Sequence, residues 1–176
     1  MSNILIVIDM QTDFVDGALG TAEAQAIVPA AAARIRAARA AGERVIFTRD
    51  THTADYPNTA EGRRLPVPHC IAGTDGWQII PALREFADGA EILDKPTFGS
   101  VALAARLSAD HKADPIGQIT LIGLCTDICV ISNAMLLKAY LPEVPIAVDA
   151  KCCAGVTPAS HANALEAMKM CQITVK

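Results

Sequence analysis

Four places along the chain carry residue types suited to chemistry on an acyl group. Asp9, Asp50, Lys95 and the segment from Cys125 to Cys129 each follow a short apolar run: NILIVI at 3–8, RVIFT at 44–48, AEIL at 90–93 and QITLIG at 118–123. A thiol attacking a carbonyl needs a proton acceptor and surroundings that stabilise its anion. A carboxylate can take the proton, while a nearby ammonium lowers the thiol pKa and favours an ionised carboxylate. Asp9 and Lys95 supply these two groups.

Of the two thiols in GLCTDICV (123–130), Cys129 is the better nucleophile. With a strand ending at Gly123 and a helix opening near Thr126 or Asp127, it lies in the first helical turn, where unpaired N–H groups and the positive helix end favour a thiolate. The turn from Leu124 to Cys129 is short enough to present two backbone N–H groups to an oxyanion. The competing reading makes both cysteines small buried thiols without a chemical role. No histidine falls at the end of a core strand, so a cysteine–histidine arrangement is less natural, although sequence distance leaves His161 open.

A second group is Asp50, His52 and His69, a carboxylate with two imidazoles. That donor set suits a divalent transition metal, zinc first, with iron or manganese as alternatives, and leaves positions for water or substrate. Glu61 is a candidate fourth ligand, directly or through water; beside GRR it is equally a solvated partner for arginine. The plain alternative for the histidines is contact with loop backbone. Phe14, Tyr56, Leu124 and Trp77 are candidate pocket walls for a planar substrate, Phe14 first because it lies five residues beyond Asp9. Trp77 can equally fix its loop to the following helix.

The runs that precede these residues lack polar alternation, as do those of strands covered on both faces; PIAV at 145–148 is a fifth such run. Between them, helical patterns run over 29–42, near 79–87, near 99–109, about 128–140 and 159–170. Gly42 and Gly89 are suitable helix stops, and Pro158 can open the last helix. The alternation predicts an α/β fold of three layers with a mostly parallel sheet of five strands, or six with QITV at 172–175. Parallel strands point their carboxyl ends one way, so the four chemical positions gather along the edge where open α/β sheets bind ligands. Residues 50–77, rich in proline, glycine and polar side chains, resist regular structure. A connection of that length inside a compact domain is usually functional.

Whole-chain properties remove other classes. The 176 residues suit one domain spanning 1–176, and 52% hydrophobic against 19% charged residues describes an ordered globular chain with some apolar surface available for a homo-oligomer interface. A formal charge of −4 and no dense basic run argue against nucleic acid. Neither a signal peptide nor an apolar stretch long enough to cross a membrane is present, which makes a cytoplasmic location with no membrane partner the simplest expectation. Six cysteines in such a chain are expected to be reduced, and their spacing does not make a four-cysteine zinc site.

The whole pattern resembles the isochorismatase-like cysteine hydrolases, most closely the nicotinamidase branch. VIDMQTDF at 7–14 is similar to the family's aspartate motif, DKPTFGS at 94–100 to its lysine motif, and GLCTDICV to its nucleophile motif, in that order along nearly the whole chain. The resemblance implies the Rossmann-like isochorismatase hydrolase fold, with Asp9 as general base, Lys95 as cationic partner and Cys129 as the nucleophile that forms an acyl-enzyme. It implies a cis peptide between Leu124 and Cys125, and an oxyanion hole from the N–H groups of Cys125 and Cys129. HCIAGTDG at 69–76 is similar to the family's metal loop, and a metal at Asp50, His52 and His69 is implied to hold the pyridine nitrogen of nicotinamide. The implied reaction is hydrolysis of nicotinamide to nicotinate and ammonia in NAD salvage; the alternative is a related metal-assisted amidase or carbamoyl-amide hydrolase acting on another small amide. Isochorismatases proper lack the cysteine, which argues against that activity. Cys125 stands where many relatives carry alanine or valine, adding a second thiol near the site and leaving open an accidental or regulatory disulfide.

Overall fold

A computed structural model describes residues 1–176. Its six strands are β1 (Ser2–Ile8), β2 (Arg44–Asp50), β3 (Glu91–Lys95), β4 (Ile116–Leu124), β5 (Ile146–Ala154) and β6 (Thr174–Val175). They form one sheet in the order β3-β2-β1-β4-β5-β6, every neighbouring pair parallel. The helices are α1 (Thr12–Val15), α2 (Ala22–Ala26), α3 (Val28–Ala40), α4 (Ala60–Arg64), α5 (Pro81–Ala87), α6 (Val101–Ala113), α7 (Ile131–Tyr140) and α8 (Pro158–Met170).

Strand periodicity divides the core into two layers. Ile4, Ile6 and Ile8 of β1 pack with Leu103 and Leu107 of α6, Leu137 of α7 and Met168 of α8, while Leu5 and Val7 pack with Ile35 of α3 and Leu83 and Phe86 of α5. Both faces are covered, which is why the central strands read as unbroken apolar runs. The chain leaves β1 toward β2 and β3, then crosses back to β4 on the other side of β1. The carboxyl ends of β1 and β4 therefore flank a topological switch point, the crevice where such sheets place ligands.

Several boundaries differ from those predicted. β5 does not stop at Val148 but continues to Ala154, because its register with β4 jumps from Leu121↔Val148 to Gly123↔Cys153 and absorbs the polar residues Asp149 and Lys151 in an irregularity. Residues 50–77 hold more regular structure than their composition predicts: 3₁₀ turns at Tyr56–Asn58 and Asp75–Trp77, and α4, whose cap is the Thr59 hydroxyl accepting from Gly62 N–H. The predicted helix over 128–140 begins as a wide turn at Thr126–Val130, and α7 proper starts at Ile131.

At the end of β4 the backbone needs a glycine. Gly123 has φ of +115°, and a β-carbon there would sit 2.0 Å from the Ile8 carbonyl oxygen. Neither atom can yield without breaking the β1–β4 ladder. Replacing Gly123 by alanine should cost about 3 kcal/mol or more, read as a lowered denaturation midpoint in urea; a midpoint equal to that of the unmodified protein would contradict this packing.

Candidate active site

Immediately after β1, Asp9 takes a left-handed conformation with φ of +47°, and its N–H is held by the Thr48 carbonyl of β2 at 3.2 Å. This turn aims a completely buried carboxylate across the switch point. The Thr48 hydroxyl donates to Asp9 Oδ1 at 2.6 Å, and Oδ2 lies 2.6 Å from Lys95 Nζ. Oδ2 has no hydrogen bond of normal geometry, so the Lys95 contact is an ion pair that leaves a lone pair free.

Lys95, the last residue of β3, is buried among these groups. Its Nζ reaches Asp9, Asp50 Oδ1 at 3.4 Å, Cys129 Sγ at 3.5 Å and the Thr97 carbonyl at 3.2 Å. Burial alone would strip its charge, but the carboxylates of Asp9 and Asp50 oppose that and its pKa is pushed up. Burial raises Asp9 above the usual carboxylate range, with Lys95 opposing.

The turn that carries the thiol is wider than a regular helix start. Val130 N–H bonds to Cys125 O, and Ile131 N–H to Thr126 O, the wider i→i+5 pattern of a single π-type turn. Cys129 is buried inside that turn, and burial together with the Asp9 charge raises its pKa well above the usual thiol range against the pull of Lys95. The Leu124–Cys125 peptide is cis, and Cys125 N–H has no protein acceptor. His161 stands apart, with its Nδ1 2.8 Å from the Thr126 hydroxyl.

Asp50 joins this group to the histidines: Oδ1 faces Lys95, while Oδ2 lies 2.9 Å from His52 Nε2 and 3.7 Å from His69 Nε2. Burial works to raise its pKa, but the His52 hydrogen bond, Lys95 and His69 hold it below the usual carboxylate range. Glu61 Oε1 completes the cluster at 3.8 Å from both imidazoles. His69 Nδ1 is 2.8 Å from the Val67 carbonyl, which can only accept, so Nδ1 carries the proton and the Nε2 lone pair faces the cluster. Donor atoms around an ion at about 2.1 Å lie roughly 3–4 Å apart; here one from each of the four residues lies within 4.8 Å of the others. The set fits one divalent transition metal, and its imidazole and carboxylate donors are those zinc accepts.

A cavity of about 660 Å³ opens over both groups, with Cys129, Asp50, Glu61 and His69 in its wall. Phe14 and Leu124 line it, joined by Phe98 and Cys125. Tyr56 does not. It is completely buried, its hydroxyl held by the Leu65 carbonyl and its ring edge-on to His52 and His69 at 4.7 and 5.0 Å, where it backs the imidazoles. Trp77 anchors its loop, donating to Thr51 Oγ1 at 2.8 Å beneath the Arg49 guanidinium.

Two supporting residues escaped the sequence reading. Thr48 holds Asp9, and its signal is a hydroxyl inside an apolar strand. Gln11 exchanges two bonds with the Asp50 backbone, at 2.8 and 2.7 Å, so the aspartate motif also fixes the first residue of the metal-type cluster.

Fold and site together define an isochorismatase-like hydrolase. The chain belongs to the family described as "Isochorismatase domain", whose model matches residues 3–176. It is 29% identical over 174 residues, 94% of this chain and 93% of the relative, to an uncharacterized isochorismatase family protein, PncA, of Bacillus subtilis (strain 168). Among solved structures it is similar to a pyrazinamidase/nicotinamidase from Streptococcus mutans UA159, with 29% identity, TM-score 0.85, and coverage of 99% of this chain and 100% of that one. An N-carbamoylsarcosine amidase from Thermoplasma acidophilum is 30% identical, with TM-score 0.80 and coverage of 100% and 96%. No helix is long and apolar enough to cross a membrane.

If the four-residue cluster is a metal centre, protein loaded with zinc and desalted should retain one ion per chain by elemental analysis. His69→Ala should lower the affinity at least about tenfold, and an unchanged affinity would remove His69 from the ligand set.

Proposed function

We propose that the protein is a nicotinamidase, hydrolysing nicotinamide to nicotinate and ammonia through an acyl-enzyme on Cys129. The class it belongs to is a hydrolase acting on a non-peptide carbon–nitrogen amide bond. One observation carries the reading: the Lys95 ammonium lies 3.5 Å from the Cys129 sulfur and 2.6 Å from the Asp9 carboxylate, with the metal-type cluster joined on through Asp50.

In this mechanism the neutral Cys129 thiol gives its proton to Asp9 as sulfur bonds to the carboxamide carbon. Burial has raised the carboxylate's pKa, which makes it a more effective acceptor, and Lys95 stabilises the charge that develops on sulfur. The carbonyl oxygen, now an anion, is received by the N–H groups of Cys125 and Cys129. Asp9 returns its proton to nitrogen, the carbon–nitrogen bond breaks and ammonia leaves a thioester. Water then gives a proton to Asp9 and adds to the thioester; collapse releases nicotinate, and the proton passes back to the Cys129 sulfur. Asp50, His52, Glu61 and His69 would hold a divalent ion, which would supply a Lewis-acid contact for the ring nitrogen.

Cavity volume favours one further reading. At about 660 Å³ it lies in the range of roughly 300–1,000 Å³ that holds drug-sized ligands, more room than one pyridine ring uses. A bulkier amide or a carbamoylated amine is the alternative substrate class.

Two measurements test these assignments. Nicotinamide should exceed benzamide by at least about tenfold in kcat/KM, because benzamide keeps ring and amide but lacks the acceptor nitrogen; equal rates, or faster release of ammonia from a carbamoylated amine, would favour the alternative. For the thiols, Cys129→Ala should abolish turnover and the quench-trapped acyl adduct, whereas Cys125→Ala, which keeps its backbone N–H, should retain at least about a tenth of the activity. An acyl group found by mass spectrometry on Cys125 would reverse the assignment.

A further inference from the structure

We infer that Asn133, a residue that takes no part in the reaction proposed above, is the positioning residue that sets the distance between Lys95 and Cys129. The inference rests on the roles proposed for that pair. Asn133 lies in α7, one turn beyond Cys129, and is almost completely buried at 1% exposure. Its Oδ1 accepts from Ser100 N–H at 2.9 Å, and Nδ2 donates to the Phe98 carbonyl at 3.1 Å and the Cys129 carbonyl at 2.8 Å. The partners fix the amide's orientation, because an N–H needs an acceptor and two carbonyls need donors. Both Nδ2 protons are used.

These three bonds tie together the two segments whose side chains must meet. Phe98 and Ser100 belong to the stretch that follows Lys95, and Lys95 Nζ is itself bonded to the Thr97 carbonyl in that stretch at 3.2 Å. The stretch lies tightly on α7: a β-carbon at Gly99 would be 2.7 Å from Leu136 Cδ1 and 3.2 Å from Ser132. Lys95 comes from β3 at the sheet edge and Cys129 from the turn after β4, and β2 and β1 stand between those strands. The sheet alone therefore leaves their spacing loosely specified, and the Asn133 amide is the direct side-chain bridge between the lysine stretch and the Cys129 backbone. Phe98 and Cys129 line the cavity whereas Asn133 does not, so its influence on the thiol passes through them.

The alternative is that Asn133 merely satisfies stray backbone groups in the core. Asn133→Leu removes all three bonds at similar volume, and Asn133→Asp keeps the acceptor for Ser100 while losing the Nδ2 donor. Leu137→Ala, a buried residue one turn further along α7, serves as a comparison with a stability loss of packing origin. Two readouts are taken on variants that remain folded: steady-state amide hydrolysis, and the second-order rate of Cys129 alkylation by iodoacetamide at one neutral pH, located by peptide mass spectrometry. Asn133→Leu and Asn133→Asp should each lose at least about tenfold in kcat with KM within about threefold, and slow Cys129 alkylation by a similar factor; Leu137→Ala should change neither by more than about threefold. If Asn133→Leu does not fold, Asn133→Asp carries the test. Normal kcat and alkylation in a folded Asn133 variant, or equal losses in Leu137→Ala, would overturn the inference. Alkylation needs no amide substrate, so failure of the nicotinamide assignment and failure of this inference remain distinguishable.

Discussion

The site depends on one buried cation. Lys95 Nζ is completely enclosed, and an ammonium in such surroundings persists only when opposite charge and hydrogen-bond acceptors replace the water it has lost. Asp9 and Asp50 supply the charge from the ends of two neighbouring strands, and the Thr97 carbonyl supplies a further acceptor. Removing one partner from a buried pair costs about 3–5 kcal/mol, because the charge left behind is uncompensated. Neither aspartate can therefore be exchanged without consequences for the lysine, and the proposed base and the first residue of the metal-type cluster are coupled through it.

That coupling explains why the supporting residues act on backbone as much as on side chains. Gln11 closes a pair of bonds with Asp50, and Thr48 receives the Asp9 N–H while its hydroxyl serves the carboxylate. Two loops are thereby fixed against the ends of β1 and β2 before any ligand arrives. Trp77 extends the same frame, its carbonyl accepting from Gln11 and its indole N–H bonded to Thr51. A site assembled from four strand ends needs such cross-links because each strand ladder fixes only its immediate neighbours.

The central strands were readable because both faces are covered, which leaves Leu5 to Ile8 without a polar residue; Asp9 was readable as the first carboxylate after that run. The same logic located Lys95 and the cysteine segment. Where it fails, the cause is a three-dimensional neighbour. Tyr56 has a polar tip suited to a pocket wall, but the Leu65 carbonyl nine residues on captures its hydroxyl and turns the ring behind the imidazoles. β5 outruns its apolar stretch because an irregular register with β4 accommodates Asp149 and Lys151. Its place after the fourth apolar run put Cys129 near a helix start, but the burial that raises its pKa comes from neighbours that local sequence does not show. Asn133 in sequence is one more amide on a helix; its three partners lie four residues away or on another segment.

Burial also bears on why one turn holds two thiols of unequal use. Cys125 and Cys129 are both pushed upward by desolvation, Cys125 to about 12. What separates them is the company each keeps. Asp127, Asp9 and Asp50 all act to keep the Cys125 proton in place; Lys95 opposes them, but its ammonium is not in contact with that sulfur. Cys129 also feels the carboxylates, but it has the Lys95 ammonium at 3.5 Å to stabilise an anion formed during attack. A site that excludes water makes that single contact worth more than it would be at a surface, since the interaction grows as the surrounding dielectric falls. The burial that raises the thiol's pKa therefore also strengthens the one interaction by which the proposed nucleophile is set apart from its neighbour.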